Sequence, residues 1–202
     1  MTFEPPHVAG IDTGLVCTAV ATAGRTARAV KIGRTGITKL PLGERTDAIV
    51  DLGLGVVDLI YLRPEEMPGM AWMFRKPGLV LIEAPDVSNA FGGLVERIQL
   101  YHEIVRSLSA TRISYGIVPS AILKGYATGN GGVDKNKKRV KAAVAQLWPE
   151  YGKVNDDQAD GIVLAAMGLD KLTGHRRVPD AQAEDWLNRP SIQWSAEIRR
   201  VG

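Results

Sequence analysis

The chain has 202 residues and a formal net charge of +3. That length allows one domain with a sizeable core, and that charge is too mild to name a partner by itself. With 45% hydrophobic and 23% charged residues the composition excludes a largely disordered chain. The lone cysteine, Cys17, excludes a disulfide framework and a thiolate zinc site. It falls inside an expected strand and reads as a small core residue. No run approaches the roughly 18 apolar residues of a membrane span. The first residues lack a basic stretch followed by an apolar one, so no signal peptide is expected and the protein is placed in the cytoplasm.

Residues 8–12 form a short apolar run ending in Asp12-Thr13-Gly14, a strand running into a turn. Residues 16–22 and 26–32 read as two further strands around a Gly24-Arg25 turn, completing an antiparallel meander. Ile49, Leu52, Val56, Leu59 and Ile60 recur at helical spacing, predicting a helix over about 41–62 that Gly53 and Gly55 weaken. Residues 63–77 hold three prolines and read as a loop. Residues 79–84 are a continuous apolar run broken only by Glu83, which suits a strand buried on both faces. A helix over 89–108, a strand over 113–118 and a short helix opening at Pro119 follow. Then come a glycine-rich loop over 128–133, a basic helix over 134–147 and an apolar helix over 155–172. The last thirty residues are polar, with Trp186 and Trp194 as anchors. This order predicts an α/β fold, a mixed five-stranded sheet with helices on both faces, and a site near the carboxyl ends of its strands. Residues 1–172 are assigned to the domain and 173–202 to a C-terminal extension.

Asp12 and Glu83 are each the only charge at the end of a run that reads as buried sheet. An uncompensated buried carboxylate costs several kcal/mol, about, so a cation must meet each one. Neither run contains a Lys or Arg. The last apolar helix opens Asn155-Asp156-Asp157-Gln158-Ala159-Asp160. Asn155 can cap it, Gln158 can complete a capping box, and Asp156 and Asp157 suit its first turn. Asp160 resists that account, because it lies past the first turn on the side of Val163, Leu164 and Met167. Asp157 shares its face, three residues earlier. Such a set of oxygen ligands suits magnesium or manganese. Two ions would serve in-line displacement at a phosphodiester. Five of the seven residues 135–141 are basic. Following a glycine-rich loop and preceding the acid helix, they are placed to bring nucleic-acid phosphates to the metals.

Four motifs then carry a resemblance. Val8-Ala9-Gly10-Ile11-Asp12-Thr13-Gly14 resembles the first-strand motif of RuvC-like Holliday junction resolvases, with Thr13 where a proline is common. Leu81-Ile82-Glu83 is similar to their fourth-strand glutamate, and Asp157-Gln158-Ala159-Asp160 to their closing acids. Ala127-Thr128-Gly129-Asn130-Gly131, between Lys124 and Lys135, resembles their glycine-rich loop. The resemblance spans about residues 8–170 and implies an RNase H-like fold of the retroviral integrase superfamily. It also implies a homodimer that nicks four-way DNA junctions symmetrically, as an endodeoxyribonuclease using two Mg2+ ions, with Mn2+ as a substitute. Asp12, Glu83, Asp157 and Asp160 carry over as catalytic metal ligands, Asp156 being an alternative to Asp157. Lys124, Asn130, Lys135, Lys137, Lys138 and Arg139 are the expected DNA contacts, Phe91 the expected wedge, and the 89–108 helix the expected dimer helix. The unusual 63–77 loop and long tail fit a phage-encoded member acting in a host cytoplasm. Three other readings compete: a nuclease of the same superfamily acting on flaps, RNA or hybrids; a non-catalytic junction-binding protein; and an actin-like ATPase, for which the chain is too short.

Overall fold

The computed structural model describes residues 6–62, 76–87, 93–130 and 137–195. Strands β1 (Val8–Asp12), β2 (Thr18–Ala23) and β3 (Arg28–Ile32) form the expected meander. Helix α1 (Leu42–Leu59) leads to β4 (Leu79–Glu83), α2 (Leu94–Ala110) and β5 (Tyr115–Val118). Helices α3 (Ser120–Thr128), α4 (Lys137–Leu147), α5 (Asp156–Thr173) and α6 (Asp180–Leu187) follow, and β6 (Gln193–Trp194) closes the described chain. Among the described residues no helix is long and apolar enough to cross a membrane.

The sheet order is β3-β2-β1-β4-β5-β6, with β1, β4 and β5 mutually parallel. It therefore has six strands where five were expected. The addition, β6, is a two-residue strand antiparallel to β5, drawn from the C-terminal tail. Neither β6 nor the eight-residue α6 is long enough to show a hydrophobic period, so both escaped the sequence reading.

Side chains alternate across the sheet and feed two cores. Ala9, Ile11, Val80 and Ile82 face α1 and α2, while Val8, Leu79 and Leu81 face α3 to α6. This double burial explains the unbroken apolar runs of β1 and β4. Helix α1 runs straight through Gly53 and Gly55. At Gly53 a Cβ would sit 3.1 Å from the Glu103 Cβ, so the absent side chain lets α1 and α2 approach closely. Strand β5 begins later than expected, because Arg112 adopts φ 54 to end α2 and Ile113 donates back to the Leu108 carbonyl.

Candidate metal centre

The parallel register sets the first pair of acids. Ile11 pairs with Ile82, so the next residues, Asp12 and Glu83, end adjacent strands side by side. Both continue the face of Val8, Leu79 and Leu81, which is the face that α5 covers. Helix α5 brings the third acid. A Cβ on Gly10 would overlap the Gly161 carbonyl and the Ala165 amide, so glycine lets α5 lie directly on β1. That close approach, beside Gly161, delivers Asp160 to Asp12.

The start of α5 is pinned by the expected capping box: Gln158 N–H donates to Asn155 Oδ1 at 2.8 Å, and Asn155 N–H to Gln158 Oε1 at 3.1 Å. Gln158 Nε2 also donates to the Ala29 carbonyl at 3.0 Å, tying the cap to β3. With the helix rotation fixed this way, the two first-turn acids part. Asp156 pairs with Lys141 at 2.9 Å, whereas Asp157 joins the lining of the acidic pocket.

Asp12, Glu83 and Asp160 offer carboxylate oxygens that all lie within 4.8 Å of one another. Asp160 is buried and the other two partly so. Burial pushes the Asp12 carboxyl up to about 9, helped by the charges of Glu83 and Asp160, a hydrogen bond to Glu83 and the charge of Asp157. Three crowded carboxylates repel one another and hold a proton that a cation would displace. The donor set, all hard oxygen, fits a magnesium-type ion. Around it opens a pocket of about 570 Å³ whose lining holds five carboxylates (those three, Asp86 and Asp157) and two cations, Arg97 and Lys124.

The structure thus gathers Asp12, Glu83, Asp157, Asp160 and Lys124 about one pocket, with Thr13 at its wall. Lys124 stands on α3 beside Ser120 and Ala121, on the face turned to the acids. Asn130 follows the left-handed Gly129 that ends α3 and is exposed. Lys138 and Arg139 are exposed on α4 and do not line the pocket. Phe91, Lys135 and the side chain of Lys137 lie outside the described residues, as does most of the 63–77 loop.

Three lining residues escaped the sequence reading. Cys17, expected in the core of a strand, lies just ahead of β2 and lines the pocket. The cause is the turn after β1, where Thr18 Oγ1 donates to the Gly14 carbonyl at 2.6 Å and displaces the start of the strand. Burial raises the Cys17 thiol, and so does its hydrogen bond to Asp157. Asp86, three residues past Glu83, had chain proximity as a signal. Arg97 had none, because only the packing of α2 turns it toward the acids.

An open acidic pocket at the carboxyl ends of parallel strands defines an α/β protein with a candidate site for hard cations. No family model and no curated protein matches the chain. Solved structures do. RuvC from Thermus thermophilus aligns with a TM-score of 0.54 at 16% identity, covering 79% of this chain and 90% of RuvC. The same protein in complex with a Holliday junction substrate aligns with a TM-score of 0.55 at 16% identity, over the same shares of both chains. The yeast mitochondrial Holliday junction resolvase Ydc2 gives a TM-score of 0.47 at 13% identity, over 93% of this chain and 86% of that one. The chain has the fold of RuvC.

Proposed function

We propose that this protein is a metal-dependent endonuclease that resolves four-way DNA junctions. One observation carries the reading: in a RuvC fold, Asp12, Glu83 and Asp160 converge to within 4.8 Å at the carboxyl ends of the parallel strands. A non-catalytic junction binder has no reason to keep three mutually repelling acids, since the repulsion costs stability and gives nothing without a cation.

In this reading Asp12, Glu83, Asp160 and Asp157 hold two Mg2+ ions, which Mn2+ can replace. When bound, such ions supply an activated water and stabilise the departing 3′ oxygen of a phosphodiester. The chain's own groups do the rest. Lys124, on the pocket wall, holds the scissile phosphate. Asn130, Lys135, Lys137, Lys138 and Arg139 bind the flanking backbone, with affinity that falls steeply as salt rises. Phe91 serves as the wedge at the branch point. Two copies act together so that opposing strands are cut in pairs. The fold belongs in the RNase H-like class, residues 1–172 carry the metal-holding and DNA-contacting side chains, and the enzyme works in the cytoplasm.

The deciding experiment offers matched four-way, flap, duplex and RNA–DNA hybrid substrates in Mg2+. Preferential, paired cutting of the four-way junction is expected, and none by Asp160→Asn. Preferential cutting of flaps or hybrids would replace the junction with another substrate, and tight binding without any cutting would overturn the nuclease reading.

A further inference from the structure

The C-terminal segment is packed against one helix end in unusual detail. Trp186, on α6, lies flat on the backbone of α3 at Gly125, where any Cβ would overlap the indole ring. Gln182 Nε2 donates to the Tyr126 carbonyl at 2.6 Å. That carbonyl belongs to the last turn of α3, which leaves its acceptors without helical partners, so α6 satisfies what the helix cannot. The Gln182 Oε1 atom also stands 3.1 Å from where a Gly129 Cβ would be, at the left-handed residue that ends α3. From the other side, Tyr126 Oη donates to Asp170 Oδ2 of α5 at 3.2 Å. Arg189 covers the outer face of the Trp186 ring, 4.6 Å from its centroid.

These contacts converge on the turn that carries Lys124. Lys124 precedes Gly125, about 100° round the helix. Its own carbonyl accepts from Thr128 Oγ1 at 2.7 Å. The helix therefore presents Lys124 to the acidic pocket on one face while Trp186 and Gln182 grip its flank and its end. Trp194 makes a comparable contact elsewhere: a Cβ on Gly116 of β5 would come 2.7 Å from its ring, and Lys171 lies 5.1 Å above it. That second contact touches the sheet and not α3.

We propose that Trp186 and Gln182 are positioning residues, which hold α3 so that Lys124 meets the scissile phosphate, and that the C-terminal segment is thereby part of the working enzyme. This rests on the junction-nuclease reading above. Fixing α3 in advance removes an ordering cost from DNA binding. A displacement of about 1 Å at such a helix can cost on the order of 100-fold in rate.

The test is a double-mutant cycle on the full chain, reading kcat/KM for a synthetic four-way junction in Mg2+, at a temperature where circular dichroism shows every variant folded. Trp186→Ala is expected to lose about tenfold or more, and Trp194→Ala to stay within about twofold. In a Lys124→Ala background, Trp186→Ala should cost almost nothing further, because the group it positions is gone. Trp186→Phe should restore most of the activity. Gln182→Ala removes one hydrogen bond at a half-buried site and keeps the test open should Trp186→Ala fail to fold; its smaller loss should likewise vanish without Lys124. Equal losses from Trp186→Ala and Trp194→Ala would overturn the proposal, as would an undiminished Trp186 or Gln182 effect in the Lys124→Ala background. A wild type that cuts no branched DNA would instead strike the nuclease reading on which the proposal rests.

Discussion

Helix α5 carries two buried carboxylates, ten residues apart, that face opposite circumstances. Asp170 is fully buried, yet Arg176 Nε lies 3.1 Å from one oxygen and Tyr126 Oη donates to the other at 3.2 Å. Asp160 is nearly as buried, and its close carboxylate companions are Asp12 and Glu83. Asp170 is neutralised from within the chain and belongs to the architecture. The acids around Asp160 crowd one another, five carboxylates sharing a pocket wall with the two cations Arg97 and Lys124. Burial alone therefore does not mark a functional acid; what surrounds it does.

Exchanging the two charges should separate their roles, and this is the largest expected effect. Asp160→Asn should lower junction cleavage on the order of 1,000-fold, because in the proposed role as a metal ligand this carboxylate supplies several kcal/mol of transition-state stabilisation. Its melting temperature in chelator should not fall, since one repelling charge has gone. Asp170→Asn should do the reverse: it leaves the Arg176 charge poorly paired and should cost about 3 kcal/mol of stability. Cleavage per folded molecule should stay near wild type. Chemical denaturation and single-turnover kinetics on both variants check this, and a stable Asp170→Asn protein would erase the contrast.

A smaller effect sharpens the same point. Saturating Mg2+ or Mn2+ should stabilise the wild type by about 2–3 kcal/mol at 100 times its dissociation constant. The shift should shrink strongly in Asp160→Asn and persist in Asp170→Asn, read as melting temperature against metal concentration. The smallest contrast is between the neighbours Asp156 and Asp157. The Asp156–Lys141 pair is well exposed, so Asp156→Asn should cost at most about 1 kcal/mol and leave cleavage nearly unchanged. Asp157→Asn should cut cleavage at least about tenfold. Equal losses from the two substitutions would remove Asp157 from the proposed ligand set.

Asp160 and Asp170 also show how far the sequence could be read. Both stand in an apolar stretch of one helix, yet only Asp160 attracted notice, because it lay just past the first turn on the side of Val163, Leu164 and Met167, with Asp157 three residues earlier on the same face. Nothing local to Asp170 announced that Tyr126, 44 residues earlier, would meet it. Cys17 was misplaced for a similar reason: the turn after β1 is built by a Thr18 hydroxyl, and hydrophobic alternation carries no trace of that bond.

The sequence by itself determined the succession of strands and helices along the chain, the meander of β1 to β3, the acids that end β1 and β4, and the cap of α5. These follow from the cost of burying charge and from periodicities that neighbouring residues express among themselves. The tertiary structure alone decided which first-turn acid of α5 faces the pocket, that Arg97 lines it, and that the C-terminal segment adds a strand and seats Trp186 on Gly125. Each of those depends on which surfaces meet after the chain has folded back on itself, and a glycine discloses the side chain that will cover it only when that side chain has arrived.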